Sequence, residues 1–376
     1  MITRRTLGLS FTALGGLALA GPALARRGAI TVPITVGTRV LMDVTLNGQG
    51  PMPFAVDTGA VVSGVRQAVA DRLGLTRLRR VTLNGASFPL YAVDEIVYGG
   101  TVRQADASLF GLEAPRLGAE GLLAAGLLTT YDSELDFERG EWRVHPEGGP
   151  ERVGFERLDS ELRQVGAGSQ RPFADVQLDG RRLRPVWDTG MPHEISIPHR
   201  IGHEMGLWRD DRPFGLLRIG GIQGVAERPG RVVRAERLLI GSHVYERPLV
   251  TIRPPGGPLG ETVLGLPVMR TLDLSLDRSQ GSVWVRRNGL SVGEGNRYGN
   301  AGTWLEEANG GVRVDQLSPG SPAAEAGLRI GDMVQGEGGL AGAIRRLGGP
   351  DGAERELTVR RGGETLTVRF ILSSYL

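Results

Sequence analysis

The chain has 376 residues, 40% of them apolar, with 58 glycines and 44 basic against 42 acidic residues. That length holds two or three domains, and this much glycine suits many short strands and turns. Cysteine is absent, which excludes disulfides and thiolate metal sites; all basic residues are arginine, but no basic block carries interleaved aromatics, so nucleic acid is not an expected partner.

In chain order, Arg4-Arg5 precedes an apolar run over residues 7–19, and Ala23-Leu24-Ala25 follows. This pattern is that of an export signal over residues 1–25, ending in a small-residue cleavage site. The arginine pair points to the twin-arginine route, with an ordinary secretory leader as the alternative. The run is short for a membrane span and no other segment approaches one. No stable span is therefore expected once the signal is removed, and the expected location is the periplasm. Removal would take two arginines and no acid, leaving 42 basic against 42 acidic residues.

Two stretches then repeat. Asp43-Val44-Thr45-Leu46-Asn47-Gly48 and Asp175-Val176-Gln177-Leu178-Asp179-Gly180 are both alternating strands closed by a turn signal. Each leads to an apolar run ending in Asp-Thr-Gly, at Asp57-Thr58-Gly59 and at Asp188-Thr189-Gly190. A short helix is expected after each triplet, over residues 66–75 and 199–207, with Gly74 and Gly206 at its end. Each half closes on an apolar segment, Gly121-Leu122-Leu123-Ala124 or Val263-Leu264-Gly265-Leu266. A strand, a turn and a second strand follow, around Asp136 and Asp277. The triplets are offset by 131 positions and the closing aspartates by 141. About ten residues are therefore added inside the second half, and Pro254-Pro255-Gly256-Gly257-Pro258 is the expected place.

Two carboxylates presented by similar halves carry a chemical implication. Like charges a few ångströms apart do not both ionise easily, so one pKa rises and the other falls. Such a pair works as acid and base at once.

The paired triplets and their downstream apolar segments resemble the pepsin and retropepsin aspartic proteases, in the bacterial form with both halves fused in one chain. The resemblance covers roughly residues 30–290. It implies a mostly β, bilobal fold with similar β-barrel halves at 30–150 and 151–286 and a cleft between them. Asp57 and Asp188 would be the catalytic dyad. Thr58 and Thr189 would bond across the two loops, and Gly59 and Gly190 would allow the tight turn, since no Cβ obstructs the approach. A hairpin over residues 84–92, with Phe88 and Tyr91, is the first-half candidate for the flap over the cleft; residues 220–226 are its counterpart. Two positions depart from the pattern. Met191 follows the second triplet where pepsins carry a hydroxyl residue, and Ala124 stands where the closing segment's glycine falls.

A polar, glycine-rich linker is expected at 287–300. Beyond it, Gly320-Ser321-Pro322-Ala323-Ala324-Glu325-Ala326-Gly327-Leu328, followed by Gly331-Asp332, resembles a bacterial PDZ domain. The resemblance implies a small α+β domain over 301–376. Gly302-Thr303-Trp304-Leu305 would be its carboxylate-binding loop, with a C-terminal peptide adding as an edge strand. Residues 340–347 are the stretch left for its second helix, and a packing module that binds no free peptide is the plain alternative.

Other candidates are weaker. His199 and His203 lie four apart on a helix beside Glu204, but no His-Glu-x-x-His pattern or third ligand accompanies them, so a solvated helix face is expected. Gly220-Gly221-Ile222-Gln223-Gly224 lacks the context of a phosphate loop and is expected to be a hairpin turn. Ser10, Ser63 and Ser196 lie in no Gly-x-Ser-x-Gly frame. Trp187 is expected in the core.

The expectation is an exported aspartic endopeptidase acting on peptide or protein substrates, with no metal or cofactor. A monomer suffices to assemble the dyad. The alternative is a peptide-binding or sensor protein on a weakened protease fold, motivated by Met191 and Ala124.

Overall fold

The computed structural model describes residues 17–19, 28–83, 85–113, 118–164, 168–217, 220, 221, 224, 225, 229–254, 260–292, 301–308 and 311–376. These are mostly β, as composition and turn spacing lead one to expect. Of the expected export signal, only Leu17–Leu19 falls among them, as a short strand antiparallel to Val102–Leu112. Among the described residues no helix is long and apolar enough to cross a membrane.

The strand Val40–Leu46 buries Val40, Met42, Val44 and Leu46, the period of two that one core-facing side demands. Asn47 and Gly48, at φ 48° and 76°, turn it into Gln49–Asp57, as a two-residue hairpin turn of this hand requires. A ring of six strands then closes. Val40–Leu46 pairs with Ala86–Tyr98, and that strand with Val102–Leu112. Val102–Leu112 runs parallel to Gly64–Arg66, which pairs with Gly121–Ala124. Gly121–Ala124 returns, in parallel, to Gln49–Asp57. Closure leaves this barrel no open edge.

Residues 151–286 repeat the order with interruptions. Val186–Asp188 runs parallel to Val263–Gly265, which pairs with Ile195–Ile197, itself parallel to Leu249–Ile252. The first turn is again left-handed, at Asp179 and Gly180 (φ 47° and 79°). Pro185 separates Arg181–Leu183 from Val186–Asp188, since proline cannot donate to a ladder. The outer strand ends form a separate four-stranded sheet. The helices Gln67–Arg72 and His199–Glu204 each stop before a glycine in the left-handed region, Gly74 (φ 64°) and Gly206 (φ 65°).

A six-stranded sheet joins the halves. At its centre Asp132–Asp136 lies antiparallel to Leu272–Asp277, with Ser133 opposite Leu276 and Leu135 opposite Leu274. Asp136 and Asp277 close their hairpins by accepting the amides of Arg139 (2.8 Å) and Gln280 (3.0 Å). One hydrophobic cluster runs through Phe54, Leu135, Trp187 and Leu274, so whatever is built across the halves rests on a continuous core.

Residues 301–376 have a cluster of their own, including Val314, Val359 and Leu372. Their five-stranded sheet runs Thr303–Ala308, Gly311–Leu317, Met333–Val334, Glu354–Arg361, Glu364–Ile371. Ser321 caps the helix Pro322–Glu325 by accepting the Ala324 amide, and the helix Gly339–Leu347 packs beside the edge strand Thr303–Ala308. The start of the expected linker is anchored. Asn288 Nδ2 donates to the Arg270 carbonyl at 3.0 Å, and Leu290 packs on the main core. Residues 293–300 lie outside the described residues.

Candidate active site

Each triplet sits at the end of a strand whose neighbours fix its height. Asp57 is in register with Ala124, and Asp188 with Gly265. The two loops then lock reciprocally. Thr58 Oγ1 donates to the Trp187 carbonyl (2.5 Å) and accepts the Thr189 amide (3.0 Å). Thr189 Oγ1 donates to the Val56 carbonyl (2.6 Å) and accepts the Thr58 amide (3.2 Å). Both threonines are buried, so each hydroxyl meets its requirement as donor and acceptor where water does not reach.

The glycines follow from the same geometry. A Cβ on Gly59 would overlap the Asp188 carboxyl, and one on Gly190 would overlap that of Asp57. The absent side chains let the two carboxyls approach. Asp57 Oδ1 accepts the amides of Gly59 (3.0 Å) and Ala60 (2.8 Å). Asp188 Oδ1 accepts that of Gly190 (2.7 Å), and the Ala60 and Met191 amides each also meet the main-chain carbonyl of their own aspartate (3.2 Å in both).

Burial raises the Asp57 carboxyl above its ordinary value, and the hydrogen bond from Asp188, the Ala60 and Gly59 amides and the Arg171 charge pull it back. Burial raises Asp188 further, and the negative charge of Asp57 and the hydrogen bond shared with it add to the rise. The two carboxyls therefore hold one proton as a pair, with Asp188 the more strongly raised.

Arg171 is a site residue that motif reading missed. It is buried, donates twice to Glu261 (3.0 Å each) and reaches the Gly59 carbonyl at 3.4 Å. A signal existed in the repeat. Arg171 stands four residues before Asp175 as Arg39 stands four before Asp43, and Glu261 precedes Val263 as Glu120 precedes Leu122. Nothing in the repeat says which arginine turns inward. Glu120 is paired instead with Arg66, at 3.4 Å.

The Ala124 departure has a local cause. A Cβ on Gly265 would overlap the carbonyl oxygens of His193 and Met191. In the first half the Ala124 amide donates to Ser63 Oγ (2.9 Å), where the Gly265 amide donates to the Glu194 carbonyl (2.9 Å). A side-chain acceptor in place of a main-chain one goes with the alanine.

The remaining sequence candidates fall elsewhere. Phe88 is half-buried, edge-on to Phe110 at 6.3 Å. Tyr91 is 4% exposed and belongs to the core, so of the two hairpin aromatics only Phe88 keeps an open face. Gly220–Gly221 pairs with Gly224–Val225 as the expected hairpin; residues 222, 223 and 226 lie outside the described residues, as do Asn84 and residues 255–259. Trp187 is fully buried. His199 stacks against His203 and edge-on to Trp208, while Glu204 pairs with Arg181 and Arg200. Among the described residues no group of three metal-ligating side chains forms. Gly302, at φ 71°, opens the edge strand that carries Thr303, Trp304 and Leu305, in the C-terminal unit rather than at the carboxyl pair.

No family model matches the chain, and no curated protein matches its sequence.

Proposed function

We propose that this chain is an aspartic-type endopeptidase of the bilobal pepsin/retropepsin kind, hydrolysing peptide bonds with a water activated between Asp57 and Asp188. The observation that carries this is the reciprocal Thr58–Thr189 lock, which fixes two carboxyls against each other's glycine. A merely structural pair of turns has no need of two buried-side carboxyls whose charges oppose.

In the first step the water oxygen attacks the scissile carbonyl carbon. Ionised Asp57 takes the water proton, and Asp188 gives its proton to the carbonyl oxygen, leaving a neutral gem-diol. Asp57 then passes its proton to the leaving nitrogen as the C–N bond breaks, and a gem-diol hydroxyl returns a proton to Asp188. Both carboxyls recover their starting states, with no covalent enzyme intermediate.

In this reading residues 1–25 are an export signal and the mature enzyme works in the periplasm. Residues 301–376 are a PDZ-like module. In support, Thr303–Ala308 is a sheet edge flanked by the helix Gly339–Leu347, the arrangement in which a substrate's or partner's C-terminal peptide adds as a strand.

The test is cleavage of a mixed peptide library from acid to neutral pH, with Asp188→Asn in parallel. Cleavage that vanishes in the variant supports the dyad, and equal cleavage by both sinks it. The second reading, a peptide-binding protein with a weakened site, draws on Met191, which offers no hydroxyl to the Asp188 carboxyl where pepsins carry one. It predicts saturable binding of extended peptides without turnover.

A further inference from the structure

Away from the carboxyl pair, the second half and the end of the chain line an open cleft of about 650 Å³, within the range of small-ligand sites. Its wall carries Arg209, Arg212, Arg234 and Arg247 against the side-chain carboxylates of Asp211 and Glu236 and the main-chain end at Leu376. One of those carboxylates is taken, since Arg209 Nε donates to Asp211 at 2.8 Å. Tyr375 closes one side. Its hydroxyl is buried near Gly302, so this residue belongs at once to the C-terminal unit and to the cleft.

The arginines are positioned rather than loose. Arg212 Nη2 donates to the Arg234 carbonyl (2.5 Å), and Arg234 Nη1 donates to the Arg247 carbonyl (2.8 Å). The Arg247 amide in turn donates to the Glu236 carbonyl (2.9 Å). This relay runs through main-chain oxygens, which orient a guanidinium without neutralising it. Asp211 feels the charge of Arg212, and Glu194 that of Arg234, but the side-chain hydrogen bonds of both arginines described above go to main-chain oxygens. Both are half-buried. A guanidinium offers about five N–H donors in a rigid fork, and each relay bond uses one. Burial holds Arg234 below its ordinary value, against the pull of Glu194 and helped by the like charge of Arg247. A partly desolvated positive charge beside another is stabilised most by an anion.

We propose that this cleft is a binding site for an oxyanion, a ligand whose recognised group is a carboxylate or a phosphate, held by the guanidiniums of Arg212, Arg234 and Arg247. The site needs no hydrolytic activity and stands apart from the proposed peptidase function. Because Tyr375 lines it, an occupant touches both the second half and the C-terminal unit.

The probes are inorganic phosphate and succinate, each titrated calorimetrically into the full chain at low ionic strength. One saturable site is expected, weakened about tenfold by Arg212→Gln and by Arg247→Gln, the loss of one charge-assisted contact each. Arg103→Gln, which removes an ion pair with Glu95 in the first half, leaves the affinity unchanged. Arg247 is exposed at the rim, so its variant decides the matter if Arg212→Gln does not fold. Binding of phosphate alone, of succinate alone or of both supports the site and identifies the chemistry it prefers. No saturable binding of either ion up to about 10 mM, or binding indifferent to both substitutions, overturns it.

Discussion

Thr58 and Thr189 show how much one hydroxyl does at a junction of this kind. Each serves a carbonyl and an amide of the opposite half. Thr58→Ala leaves the Thr189 amide and the Trp187 carbonyl without that partner in a buried place. A loss of about 1–3 kcal/mol is expected, read as a shift in urea midpoint, with Thr58→Ser recovering most of it. The carboxyls act in the opposite sense. Both have folded pKa values above the ordinary 3.8, so their contribution to stability is full below that pH and is lost as pH rises through the folded values. Asp188→Asn removes the more strongly raised group. Its melting temperature should exceed the parent's near neutral pH, with the gap closing by about pH 3; a gap independent of pH would contradict the assignment. Arg171 lowers Asp57 through its charge. In Arg171→Gln the acid limb of the kcat/KM profile, which needs Asp57 ionised, should move to higher pH, while Arg171→Lys keeps it near the parent's. The same pair of variants separates charge from packing, because loss of the Glu261 contact is common to the glutamine variant's stability and not to its pH limb.

The parallel pairings of Gly121–Ala124 and Val263–Gly265 with the triplet strands place small residues opposite both aspartates, but the two strands tolerate different ones. Gly265→Ala pushes a methyl into the His193 and Met191 carbonyls and should cost about 1–3 kcal/mol, as overpacking against unyielding main chain does. Ala124→Gly should cost only about 0.5–1 kcal/mol, the conformational term for glycine in a strand. Chemical denaturation of both variants checks this, and equal losses would mean that the halves are closer to equivalent than their hydrogen bonds suggest. Much at this level was legible beforehand. The turns at Asn47-Gly48 and Asp179-Gly180 and the helix ends at Gly74 and Gly206 are local matters, set by residues that accept positive φ. Tyr91 was not legible as a core residue. Leu90, Tyr91 and Val93 are all buried along Ala86–Tyr98, so simple alternation fails on a strand that pairs on both sides as the barrel closes.

Among the described residues the two largest hydrophobic clusters are separate, one through both halves and one confined to residues 301–376. The smaller unit contains an ion pair on a buried carboxylate that reports on it alone. Burial by itself would raise Asp332, but Arg361, at 2.7 and 2.6 Å, and the Arg329 amide hold it below 3.8. Its stabilisation is present above that pH and is lost as pH falls through the lower folded value. Arg361→Met leaves the buried Asp332 carboxylate with one fewer partner and should lower the stability of this unit, more at neutral pH than in acid. In calorimetry of the full chain, only the transition belonging to residues 301–376 should move. A shift of the whole endotherm would show that the clusters unfold as one.

Chain-local chemistry fixed the strands, turns, helix ends, the two Asp-Thr-Gly loops and the compositional break near residue 300, because these depend on φ preferences and on a period of two or 3.6 within a few residues. Which other residues meet across 112 or more positions was decided only on folding: Arg171 at the Gly59 carbonyl and Leu135 against Leu274. Equivalent repeat positions such as Arg39 and Arg171 carry the same residue and end in different surroundings, since long-range packing, not local preference, chooses which guanidinium is enclosed. The arginine-lined cleft at Tyr375 is of the same kind. Its residues come from separate turns and the far end of the chain, and no spacing in the sequence marks them as neighbours.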